Sequence, residues 1–192
     1  MKFLNYLTED ETAKKAMVDM IKRDCRPFLE TIRPIIGTGK CFVRRIRGSV
    51  PFIVKKAART DRKPLDTDIE THMAFDAAFK DKFGWKARSE GVFTFPAEHY
   101  LNAYHGQNIF YPIGEFKFIY SPKVSDLYVA LLDDDPEENV KEFLSSYTNK
   151  NLLRAFKSKK DKNLHCEVMF KCAHYYVVNN EYGNFLRDNG IL

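Results

Sequence analysis

The sequence predicts an α+β fold in which an N-terminal helical unit precedes a mostly antiparallel sheet with helices in its connections. Three observations predict it. Apolar residues recur at helical spacing near the start of the chain. From residue 41 onward, short β-branched and aromatic runs bounded by glycine dominate, and two helical periodicities with strong end signals interrupt them. The 192 residues suit one domain, with a helical unit over 1–36 and a sheet-containing core over 40–180. Apolar residues make up 44% and charged residues 30%, with 16 Phe and 10 Tyr, so the chain is globular and much of its core is aromatic.

The elements follow in order. Thr8 and Glu11 have the spacing of a capping box, and Ala13, Ala16, Met17, Met20 and Ile21 then recur as on one helix face, predicting a helix from about residue 9 to Asp24. Pro27 and Pro34 interrupt its continuation, and Gly37-Thr38-Gly39 closes the unit. Cys41 to Arg47 reads as a strand with Arg45 and Arg47 on one face, followed at once by Gly48. A second capping box, Thr67 with Glu70, opens a helix that Gly84 ends near Phe83. Trp85 to Phe95, Ile109 to Tyr120 and Tyr128 to Leu132 read as strands. Asp135-Pro136-Glu137-Glu138 supplies a cap, a first-turn proline and acids at the positive end of a third helix. Leu152 to Phe156 reads as a short helix, 157–162 as a solvated loop, and Glu167 to Cys172 with Tyr175 to Val178 as a strand pair.

Composition excludes several function classes. No apolar run approaches the roughly 20 residues of a spanning helix, and the N-terminus lacks the basic start and long apolar stretch of a secretory signal. The expectation is a cytoplasmic protein. Cys25, Cys41, Cys166 and Cys172 show no zinc-ligand spacing, so reduced, partly buried thiols are expected and no metal. His72, His99, His105 and His174 have no partners at ligand spacing and read as ordinary histidines. Gly37-Thr38-Gly39-Lys40 lacks the full phosphate-loop frame and precedes a strand, which removes that reading. The net charge of +5 is compatible with a phosphate-bearing ligand.

Three places gather residues with chemistry: the arginines at Arg44, Arg45 and Arg47, the run Arg88 to Thr94, and Glu167 at a strand start. In order, Arg47-Gly48, Val92-Phe93-Thr94 and Glu167-Val168-Met169-Phe170 resemble the three-part pattern of the ADP-ribosyltransferase fold family. There, one strand ends in Arg-Gly, a second carries an aromatic followed by Ser or Thr, and a third opens with Glu. Ala97, Tyr100 and Tyr104, expected on a helix after the Thr strand, and Tyr175-Tyr176-Val177-Val178 after the Glu strand, also look like that family. The likeness spans roughly residues 41–178. A looser one, in Arg59 to Thr67, is to small proteins of tailed phages, which would put the chain in a host cytoplasm.

The resemblance implies NAD as substrate, and either mono-ADP-ribosyl transfer to a macromolecular acceptor or NAD hydrolysis. Cleaving the nicotinamide-ribose bond develops positive charge on the sugar, which a fixed carboxylate stabilises. Glu167 takes that role and, as in the family, holds a ribose hydroxyl. A guanidinium matches the pyrophosphate with bidentate bonds, which assigns Arg47 beside Gly48, with Arg45 in reserve. Thr94 orients the Glu or the ribose, and Phe93 or Tyr104 stacks on nicotinamide. Arginine-modifying members carry Glu two residues before the catalytic one; His165 stands there, so the expected acceptor is not arginine. Phe95 and Pro96 follow Thr94 where the family often has Thr and Ser, which points to altered or lost activity. The rival reading is a non-catalytic basic module that uses Lys55 to Lys63 on nucleic acid or an acidic protein, including a phage structural or host-takeover protein.

Overall fold

The computed structural model describes residues 2–64, 68–100, 107–124, 140, 143–157, 159–161 and 164–192, without the side chains of 2–10, 159–161 and 164–165. The chain is α+β. Helices α1 (Lys2–Asp24) and α2 (Arg26–Ile32) come first, followed by a 3-10 turn at Arg33–Ile35, β1 (Cys41–Arg45) and β2 (Ile53–Ala57). Then come α3 (Ile69–Phe83), α4 (Ala87–Glu90), β3 (Val92–Ala97), β4 (Gln107–Ile113) and β5 (Lys117–Tyr120). After a 3-10 helix at Leu152–Lys157 follow β6 (Lys159–Asp161), β7 (Leu164–His165), β8 (Val168–Lys171), β9 (His174–Val178) and α5 (Gly183–Asp188).

Several boundaries depart from the sequence reading. α1 starts at Lys2 and passes through Thr8, and Glu11 pairs with Lys14. Pro27 lies in the first turn of α2, where its missing N–H costs nothing. Asp68, not Thr67, caps α3 by accepting from Thr71 N at 2.8 Å, and Gly84 ends it at φ +78, a conformation glycine adopts without a Cβ penalty. The run from Trp85 to Phe95 splits into α4 and β3, and Ile109 to Tyr120 splits at Gly114, φ +69. β2 was not expected, and neither were β6, within the stretch read as a loop, and β7 just after it. The strand expected at Tyr128 to Leu132, the start of the Asp135 helix, and Tyr104 lie outside the described residues. Residues 143–146 are helical.

Seven strands form an antiparallel sheet in the order β2-β9-β4-β1-β3-β8-β5, and β6 and β7 form a separate pair. β8 and β9 were expected to pair with each other. Instead β8 pairs with β3 and β5, and β9 with β2 and β4. Chain geometry explains how both connections fit. Strands four places apart lie roughly 19 Å apart in a flat sheet, while Lys171 to His174 spans at most about 11 Å. The link from Ile113 to Lys117 is almost as tight. The sheet therefore folds over, bringing β4 and β9 opposite β8 and β5. Phe110 and Phe170 meet across that fold with ring centroids 5.1 Å apart.

The core fills this fold. Phe28 of α2 sets its ring edge-on to Phe42, Phe116 and Phe170 at 6.1, 5.7 and 6.0 Å. Met17, Val18 and Ile21 of α1 join the same buried cluster. A second cluster lies on the outer face of β3, β8 and β5, where Phe75 and Phe79 of α3 cover Phe93, Met169 and Ile119. Those three residues are register neighbours, so the period-2 pattern of three strands builds one surface for a helix.

Candidate functional site

Sheet order makes neighbours of β1, β3 and β8, the three strands whose motifs carry the family likeness. β1 ends at Arg45, so Arg47 lies beyond it, in a turn that Gly48 makes possible at φ +84. Both arginines are exposed. Register then fixes the faces. Val43 pairs with Phe95, and Thr94 with Val168; continuing each pairing by two residues and by one puts Arg45 level with Phe93 and Phe95 level with Glu167. Glu167, Phe93 and Arg45 therefore share one face, while Thr94 points to the other.

Thr94 is fully buried there, and its hydroxyl donates to Val168 O at 3.1 Å. It ties β3 to the first residue of β8, directly after Glu167. Arg44 is also anchored: its Nη1 donates to Phe93 O at 2.7 Å and its guanidinium lies 5.5 Å from the Tyr175 ring centre. Its buried Nε has no partner among the described residues.

A cleft of about 1010 Å³ opens at this end of the sheet, at the upper end of the usual range for small-molecule sites. The end of β1 and its turn supply Arg45, Ile46, Arg47, Gly48 and Ser49, the start of β4 supplies Gln107 and Asn108, and the segment after β9 supplies Asn179, Asn180 and Glu181. Antiparallel pairing of Arg45 with Gln107 and Arg44 with Asn108 holds the first two walls together. Arg62 completes the lining. Three guanidinia and four carboxamides face one carboxylate, a set suited to an anionic ligand rich in hydrogen-bonding groups.

Arg62 belongs to the basic patch with Lys55, Lys56, Arg59 and Lys63, which the sequence offers as a neighbour of an anion pocket without singling out Arg62 as a lining residue. Its backbone N–H donates to Ser89 O at 3.2 Å, and its guanidinium stacks 3.8 Å from the centre of the Phe93 ring. Burial lowers its pKa; the Glu167 carboxylate opposes that shift, and the neighbouring Arg44, Arg88 and Arg59 add to it. One half-buried arginine thus joins the cleft, the Phe93 ring and the Glu167 charge.

A second polar cluster lies beside it on α3 and α4. The Ser89 hydroxyl donates to Asp76 Oδ2, while Asp76 Oδ1 accepts from Arg88 N at 2.8 Å and Ser89 N at 3.2 Å. His72 Nε2 lies 3.1 Å from Ser89 Oγ and 3.5 Å from Asp76 Oδ2. A nucleophilic relay needs the imidazole between serine and carboxylate, one ring nitrogen to each. Here the serine proton is already committed to the carboxylate, so the cluster fastens α4 to α3. Burial lowers the His72 pKa against the pull of Asp76, with Arg88 and Arg62 adding to the lowering.

A cavity of about 610 Å³ lies where the two tight connections meet, lined by Thr60, Glu90, Glu115, Phe116, Lys117, Lys171, Cys172 and Ala173. Glu90 and Lys171 pair with each other across its wall. Burial pushes the Cys172 thiol up to about 12, which keeps it protonated and unreactive. Among the described residues no group of His, Cys, Asp and Glu could hold a metal ion, and no helix is long and apolar enough to cross a membrane.

No family model, no curated protein and no solved structure matches the chain, so the family likeness rests on its sequence motifs.

Proposed function

We propose that the chain binds NAD in the cleft beside β1 and cleaves its nicotinamide-ribose bond, transferring ADP-ribose to an acceptor other than arginine or to water. The observation that carries this reading is the adjacency of β1, β3 and β8, with Arg45, Phe93 and Glu167 on one face. Arg45 and Arg47 line a cleft large enough for a dinucleotide and would grip its diphosphate by bidentate bonds. Glu167 would stabilise the cation-like ribose as the bond to nicotinamide lengthens. Thr94 acts through the backbone, holding the start of β8 in place.

The test is to incubate the protein with NAD, alone and with cell extract, and to follow nicotinamide release and label transfer. Glu167→Gln should lower turnover by at least about 10²-fold, the scale of losing one transition-state contact. Equal turnover in parent and variant would remove Glu167 from the mechanism.

One observation favours the basic-module reading. Lys55, Arg59 and Lys63 are exposed on or beside β2, an edge strand, close in sequence to the Arg62 that lines the cleft. In that reading the same cleft and its rim take a phosphate backbone without chemistry, and binding should weaken steeply with salt.

A further inference from the structure

Arg62 comes from the connection between β2 and α3, outside the three motifs, yet it lines the cleft that holds Arg45 and Arg47. Three features set it apart from an ordinary surface arginine. Its guanidinium carbon lies over the Phe93 ring, 3.8 Å from the ring centre, a cation–π contact that limits its freedom. The backbone bond from Arg62 N to Ser89 O anchors its segment to α4, and α4 is itself fastened to α3 through Asp76. The described charges that act on it are unbalanced: Arg44, Arg59 and Arg88 lie within electrostatic reach, against the Glu167 carboxylate. A second anion would relieve that imbalance, and the open side of Arg62 is the cleft.

We infer that Arg62 is a positioning residue shared between Glu167 and a diphosphate bound in the cleft, so that filling the anion site with Arg45 and Arg47 is felt at Glu167. A planar fork suits this task because it can face two anions along different edges while its π-face rests on an aromatic ring. An ammonium at the same position would satisfy one anion as a point charge and lose the stacking. The inference rests on the proposed function only for the identity of the diphosphate as part of NAD.

The probe is inorganic pyrophosphate, titrated by calorimetry into the full chain and into Arg62→Gln, Arg62→Lys and Arg47→Gln, with circular dichroism to confirm folding. Arg62→Gln should lose about tenfold or more in affinity, and Arg62→Lys should recover only part of it. Carbon-13 carboxyl spectra supply the second reading: the Glu167 signal should move on adding pyrophosphate to the parent and stay still in Arg62→Gln. Parent-like affinity in folded Arg62→Gln, a Glu167 signal that ignores pyrophosphate in the parent, or no binding by the parent would each overturn the inference. Arg62-dependent pyrophosphate binding without NAD cleavage would instead refute the proposed enzyme and leave the anion site standing.

Discussion

Thr94 shows how one side chain can be central to a site without touching a ligand. Its hydroxyl is fully buried and given to Val168 O, so removing it takes a side-chain donor from a buried carbonyl. Thr94→Val keeps the shape and should cost about 0.5–1.5 kcal/mol, read as a lower midpoint in urea denaturation. The cysteines make a second prediction at this scale. Burial pushes the thiols of Cys25, Cys41 and Cys172 up to about 12, so few thiolates form at pH 8 and burial blocks access. Thiol reagents should leave these three unmodified in native protein and label them after denaturation. Labelling of any of them under native conditions would show an opening that the packing does not account for.

Among the elements, the joint between α3 and α4 is the most exposed to a single change. α4 has four residues, too few to persist alone, and Asp76 bonds two of its N–H groups from twelve and thirteen residues away. Gly91 lets β3 follow immediately, since a Cβ there would run into Ala87 O. Asp76→Asn should loosen α4, with faster amide exchange at Arg88 and Ser89. The same joint gives a pH dependence. His72 has a lowered native pKa, so below about 6.5 the unfolded chain binds a proton that the native chain resists. Its contribution to stability is complete above the unfolded pKa and is lost as pH falls through and below that value. His72→Gln should flatten the stability curve between pH 7 and 5, and an unchanged slope would assign the acid sensitivity to other groups.

Legibility in the sequence follows the range of the interactions. α1, α3 and the core strands carry their own periodicity and were read from it; β1, β3 and β8 lie side by side, with Arg47-Gly48 in the turn after β1 and Glu167 just before β8. β2 was missed because it is an edge strand with two consecutive lysines and no clean alternation of burial. α4 was missed because its stabilising acceptor belongs to another helix. The pairing of β8 and β9 was misread because a two-residue gap suggests a hairpin, and only the folding-over of the sheet separates them. Arg62 was legible as part of a basic patch beside an anion pocket, but its contacts were not, since its ring partner Phe93 and the Glu167 charge are distant in sequence.

For the molecule as a whole, charge and packing make separate predictions. The cleft gathers three arginines against one carboxylate, so pyrophosphate affinity should fall as salt rises from 50 to 200 mM, whichever functional reading holds. A salt-independent affinity would mean that contacts other than these charges dominate. Packing centres on Phe170, which is fully buried and meets Phe28, Phe42, Phe110, Phe116 and Phe118. It joins the two halves of the folded sheet, and Phe170→Ala should cost about 3–5 kcal/mol, a large share of the stability of a domain this size.

The place of β9 between β2 and β4 has a consequence for how the protein is made. Ala57 at the end of β2 leaves the ribosome long before His174, and at roughly 5–20 residues per second the strand waits about 6–25 s for the partner that completes it. Throughout that interval an unpaired edge is open to neighbouring nascent chains, and Lys55 and Lys56 supply the like charge that discourages such pairing. The sheet closes only after synthesis reaches β9, so its completion is dominated by long-range closure. A ribosome-bound chain halted before residue 174 should remain protease-sensitive, and one halted with enough linker to expose residue 192 should not.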